Sequence, residues 1–164
     1  MNGQIYLNIS ACFYTALIAF CFFCKEKFKN EETKIYGSLI IVSLIELIIG
    51  FLCSLIAYAN VSQTIISVLT KIFFISMQSW IFVFTKYVIN VDKNINKNKK
   101  PSHLNLFIDI LFIISCILIL VTNLKVTLVN KLVYTTGISM SVLGVTVTIM
   151  IMICFILGIK NISK

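Results

Sequence analysis

Five apolar runs, separated by short polar stretches, constrain this chain more than anything else in it. They extend from about Gln4 to Cys24, Ile35 to Ala59, Val61 to Val91, Leu104 to Thr122 and Thr136 to Ile159. An α-helix needs ~20 apolar residues to cross ~30 Å of hydrocarbon, and these runs are of that length or longer. The expected fold class is therefore all-α: a polytopic transmembrane helical bundle of about five spans, one domain over residues 1–164. Composition agrees, because 59% of the residues are hydrophobic and only 12% charged, against roughly a half and a quarter in soluble domains.

The formal net charge of +8 comes from lysine alone, with no arginine anywhere. On a soluble domain such charge would point to nucleic acid. Here most of the lysines sit between apolar runs, where they orient a chain in a bilayer, and nucleic acid is not an expected partner. Lys25, Lys27, Lys29, Lys34, Lys93, Lys97, Lys99, Lys100, Lys160 and Lys164 fall on one side, and Lys125 and Lys131 on the other. The positive-inside rule then predicts an outer amino terminus and a cytoplasmic carboxyl terminus. The abundance of Lys, Asn and Ile points to a low-GC bacterium, hence to a multi-pass protein of its cytoplasmic (inner) membrane. The opening MNGQIYLN lacks the positive region of a cleavable signal, so the first span is expected to be retained. After the fourth span, KVTLV and LVYTT flank Asn130-Lys131. This segment, near 125–135, reads equally as a small external β-hairpin or as the start of the fifth helix.

Charges inside the runs stand out. Glu46 is the lone charge in SLIELIIG. It shares 3–4 spacing with Ser43, Gly50, Cys53 and Ala57, as Asn8, Ala11, Thr15 and Ala19 do on the first run and Gly137, Ser141, Gly144 and Thr148 on the fifth. Small residues let membrane helices approach closely, so these faces are expected to turn inward. On the third run Ser67, Lys71, Gln78 and Thr85 form a polar stripe, the last three in steps of seven. At ~1.5 Å rise per residue, Glu46 and Lys71 both lie ~15 Å deep, on runs joined by a short loop. A charge at the bilayer centre costs about 2.5–3.5 kcal/mol, which favours a Glu46–Lys71 pair as an intramembrane clasp or signalling site. Lys86 and Asp109 are expected to pair at the inner interface. Trp80 reads as a packing residue and His103 as solvated. The six cysteines, including the CFFC of Cys21 and Cys24, read as small apolar residues. No P-loop, G-x-S-x-G or H-E-x-x-H pattern is present, so no catalytic, cofactor-binding or metal-binding residues are assigned and no enzyme activity is expected.

The segments KIYGSLIIVSLIELI, WIFVFTKYV and LVYTTGISMSV, with Lys34-Ile35-Tyr36 and with Trp80, Phe84 and Thr85 within them, resemble the amino-terminal membrane region of low-GC bacterial sensor histidine kinases. The resemblance covers nearly the whole chain. Two departures matter: Ile138 follows Gly137 where proline is expected, and GIKNISK ends the chain where two more helices and a kinase core would follow. The resemblance implies a membrane-embedded sensory module of two-component signalling, truncated before its catalytic core. Its partners would be the lipid bilayer, a second copy of the chain and, at full length, a kinase domain with its response regulator. Two other readings remain open: a small transporter or channel subunit, and a structural membrane protein.

Overall fold

The computed structural model describes residues 3–24, 31–56, 61–95, 103–129 and 132–162. Five helices lie where the apolar runs lie: α1 (Gly3–Cys24), α2 (Glu31–Ile56), α3 (Gln63–Ile95), α4 (His103–Val121) and α5 (Ile138–Ile162). Between α4 and α5, strands β1 (Leu124–Val129) and β2 (Leu132–Gly137) pair antiparallel, from Leu124 opposite Gly137 to Val129 opposite Leu132. Of the two readings of this segment, the hairpin is the one formed. The lysine-rich stretches 25–30 and 96–102, Ala57 and the Asn130-Lys131 turn lie outside the described residues.

Among the described residues four helical segments are long and apolar enough to cross a membrane: Glu32–Ile56, Gln63–Asp92, His103–Val121 and Ile138–Lys160. Asn8–Cys24 is apolar and shorter. Their outward faces carry residues such as Phe13, Leu52, Ile113, Val145 and Phe155, all well exposed. A surface this continuously apolar suits hydrocarbon and would be a large sticky patch in water.

The helices do not form a symmetric bundle. Among the described residues α3 is the hub and touches α2, α4, α5 and β1, whereas α1 touches only α2, and α2 touches only α1 and α3. The buried clusters lie within α3, α4 and α5: Ile81, Ile89, Ile108 and Met150 in one, and Phe74, Ile119 and Leu143 in the other. Outside this triad, the buried hydrophobic side chains of the helices are Ala19 on α1 and Ile40 on α2. The molecule is thus a packed triad with an α1–α2 pair laid against one face of α3.

That face has a regular register. Tyr36 meets Tyr87 with ring centroids 6.1 Å apart. Trp80 donates its indole N–H to Ser43 Oγ at 2.7 Å. A Cβ added to Gly50 would lie 3.3 Å from the Phe73 ring. Tyr36, Ser43 and Gly50 climb α2 in steps of seven while Tyr87, Trp80 and Phe73 descend α3 in the same steps. A shared repeat of seven keeps one seam facing its partner along its length, as in left-handed antiparallel packing. From α1, Asn8 donates to Ser54 Oγ on α2 at 3.0 Å and Ala19 is buried, so the small-residue face of α1 does turn inward.

The fifth helix departs from expectation. Ser141, Gly144 and Thr148 are exposed, and a Cβ on Gly144 would meet nothing within 4 Å. α5 instead turns Ser139, Leu143, Thr146 and Met150 inward. Inward position was expected from small size, but once α3 and α4 pack on the Leu143–Met150 face, the small-residue ridge lies on the far side.

Candidate functional site

The polar residues of α3 divide by azimuth. Lys71, Gln78 and Thr85 each stand two residues before Phe73, Trp80 and Tyr87, about 200° around the helix at 3.6 residues per turn. The aromatic stripe meets α2, so the polar stripe must face away from it, toward α4 and α5. All of its contacts obey this rule.

Lys71 therefore does not reach Glu46. Its Nζ donates to the carbonyls of Leu120 at 2.7 Å and Thr122 at 2.8 Å, at the carboxyl end of α4. The expected Glu46–Lys71 pair is corrected on this point. The two residues also differ in level: the α2–α3 register sets Glu46 opposite Met77, six residues or ~9 Å along α3 from Lys71, and Lys71 turns to the face of α3 away from α2. A lysine at a helix carboxyl terminus meets orphan carbonyls and the negative end of the helix dipole, so its charge is well placed there.

The end of α4 is satisfied from several directions. Thr122 donates to Leu118 O from both its amide, at 2.9 Å, and its hydroxyl, at 2.6 Å. Ser139, fully buried at the start of α5, lies 3.0 Å from Thr122 O and 2.8 Å from the Thr122 hydroxyl. From the first residue of α3, Gln63 Nε2 donates to Val126 O on β1 at 2.6 Å. Lys71, Thr122, Ser139 and Gln63 thus fasten the hairpin to the triad. Ser139 and Gln63 carry no motif and were not picked out from sequence.

Further along the stripe, Gln78 and Thr85 are fully buried. Gln78 Nε2 bonds Ser115 Oγ on α4, while its Oε1 has no partner. The Thr85 hydroxyl donates to Ile81 O at 2.7 Å and receives the Cys154 thiol from α5 at 3.5 Å. Ser67, the fourth member, is half-buried. The stripe joins the three helices of the triad through polar contacts in a setting where unsatisfied groups are costly.

Lys86 and Asp109 do pair, Nζ to Oδ1 at 2.7 Å, with the same Nζ 5.5 Å from the centre of the Phe82 ring. Their side chains remain 24% and 44% exposed, so in contact with water the pair contributes no more than about 1 kcal/mol. It ties α3 to α4 near the end opposite Lys71.

Glu46 stands apart. It is half-buried, and no hydrogen bond or ion pair joins it to a described residue. Its position is nonetheless defined. Ser43 and Gly50 meet Trp80 and Phe73, and Cys53 Sγ approaches Leu69 O at 3.9 Å. Glu46 shares this arc of α2, and the register sets it level with Met77, which is 37% exposed. The indole of Trp80 stacks on Phe84, centroids 5.6 Å apart and planes within 2°. Cys21 and Cys24 lie exposed on α1, and His103 is exposed at the start of α4.

No protein-family model, no curated protein and no solved structure matches this chain. What fold and site define is a class: a helical protein with four helices of membrane-crossing length, a small antiparallel hairpin and a polar-bonded triad of helices.

Proposed function

We propose that the chain is a five-span, multi-pass protein of a bacterial cytoplasmic membrane and serves as a membrane-embedded sensory module, of the kind that feeds a histidine kinase. The observation that carries this reading is the division of the bundle. Polar contacts at Lys71, Gln78, Thr85 and Lys86 lock α3, α4 and α5 together, while α1 and α2 are attached through one seam. A sensor needs two packings that a stimulus binds with different affinity. A helix pair held by one seam is the element whose packing changes at least cost. The resemblance of KIYGSLIIVSLIELI, WIFVFTKYV and LVYTTGISMSV to sensor-kinase membrane regions is in keeping with this reading.

In this reading the amino terminus and the hairpin are outside and the carboxyl terminus is cytoplasmic, following ten flanking lysines against two. Reporter fusions after Lys164 and within 125–135 should read cytoplasmic and external respectively. The reverse pattern would refute the orientation.

The signalling claim is tested at Gly50, where an added side chain meets the Phe73 ring of α3. In a fusion of this chain to a kinase core, Gly50→Leu should shift autophosphorylation several-fold by wedging the seam. Gly144→Leu, on an open face, should not. Equal output from wild type and Gly50→Leu counts against a sensory role.

One observation favours a transporter or channel subunit instead: the polar stripe runs along α3 between α4 and α5, with the free Gln78 oxygen within it. Solute or proton flux in proteoliposomes, abolished by Gln78→Leu, would support that alternative.

A further inference from the structure

We propose that the layer around Glu46 is a binding site for a hydrophobic, singly charged organic cation that enters from the apolar surroundings. The carboxylate is the centre of the site. It sits mid-helix on the arc of α2 that meets α3, half-exposed, with no hydrogen bond or ion pair to a described residue. Among the described residues α2 touches neither α4 nor α5, so the edge of the α2–α3 seam away from α1 is left uncovered. A ligand dissolved in the hydrocarbon reaches Glu46 without passing through the core.

Charge complementarity selects the occupant. An isolated carboxylate in hydrocarbon is expensive, and a bound cation relieves that cost. A second copy of the chain brings none of the described lysines to this level. Lys71 holds the end of α4, Lys86 holds Asp109, Lys34 lies in the first turn of α2, Lys125 lies in the hairpin, and Lys160 is near the end of α5. A hard inorganic cation wants roughly six oxygens. Here the seam has one carboxylate between aromatic layers, Trp80 beside Ser43 and Phe73 beside Gly50. The hydroxyl protons of Ser43 and Ser76 are turned back to Leu39 O and Phe73 O, at 2.8 and 2.9 Å. A carboxylate flanked by an indole and a phenyl ring is the chemistry that recognises alkylammonium and arylphosphonium ions. The indole is held in place by its bond to Ser43 and its stack on Phe84, so the aromatic wall is preformed. This assignment needs no kinase and stands whether or not the chain signals.

The chain contains a single tryptophan, Trp80, adjacent to the site. The full chain in lipid nanodiscs, titrated with tetraphenylphosphonium, should show saturable quenching of its intrinsic fluorescence above the linear partitioning seen with protein-free discs. Glu46→Gln should weaken the apparent affinity at least about tenfold, Glu46→Asp should weaken it less, and neutral triphenylphosphine oxide should give no saturable component. Equilibrium dialysis with radiolabelled probe repeats the comparison without relying on the reporter and allows Trp80→Leu to be tested, with weakened binding expected. Unaltered affinity in a folded Glu46→Gln protein, or quenching no greater than partitioning, overturns the proposal.

Discussion

Gly137→Ala is expected to destabilise the protein by about 3 kcal/mol or more, the largest effect of any single methyl group added to this chain. Gly137 closes β2 and delivers the backbone into α5 at φ +130°, a conformation that side chains rarely adopt. A Cβ there would lie 2.6 Å from the backbone carbonyl oxygen of Asn123, which belongs to the turn out of α4 and cannot rotate away as a side chain would. Strain and clash add, and relief of either one displaces Ser139 from the end of α4. Thermal unfolding in nanodiscs, with Gly144→Ala as the comparison, measures the effect. At Gly144 the added methyl meets open space, and alanine should be neutral or stabilising by up to about 1 kcal/mol. Equal melting of Gly137→Ala and wild type would show that the backbone at 137 is not in this conformation.

Lys71→Met should cost about 2 kcal/mol, because it leaves the Leu120 and Thr122 carbonyls without their charged donor and removes a cation from the carboxyl end of α4. Glu46→Gln should change stability by less than about 0.5 kcal/mol, since the carboxylate has no partner among the described residues to lose. The double variant should then equal the sum of the singles within about 0.5 kcal/mol. A coupling energy above 1 kcal/mol would restore the direct Glu46–Lys71 contact that the geometry denies.

These two residues show where sequence reading stops. Depth is legible only coarsely: counting along each run at a fixed rise puts Glu46 and Lys71 at one level, whereas the α2–α3 register sets them six residues apart, with Lys71 at the end of α4. Azimuth is legible only within a helix. The steps of seven that join Lys71, Gln78 and Thr85 identify a common stripe, and the structure keeps them on one face. Nothing in that stripe says which neighbour it meets. A stronger signal was present in the aromatic stripe Phe73, Trp80 and Tyr87, which repeats in register with Tyr36, Ser43 and Gly50. Matching those two stripes first would have turned Lys71 away from α2.

The same distinction explains the small-residue faces. On α1 the face Asn8, Ala11, Thr15 and Ala19 meets α2, because α2 is the neighbour α1 has. On α5 the ridge Ser141, Gly144 and Thr148 is equally small and points outward, because the larger Leu143–Met150 face fills the space between α3 and α4. Residue size permits close approach without compelling it. The Lys86–Asp109 pair was legible because the two lie at comparable depth near the same helix ends and their long side chains reach across a range of azimuths.

From its sequence alone this protein was committed to long apolar helices and to their approximate limits, since these follow from local composition and a fixed rise per residue. Tertiary structure decided the rest: that α3 is the hub, that Lys71 caps α4, that the segment after α4 pairs as a hairpin, and that Glu46 bonds to none of the described residues. The physical reason is that helix formation uses bonds within one segment, whereas the choice of neighbour depends on how whole faces fit one another, and several faces of similar polarity compete for each place.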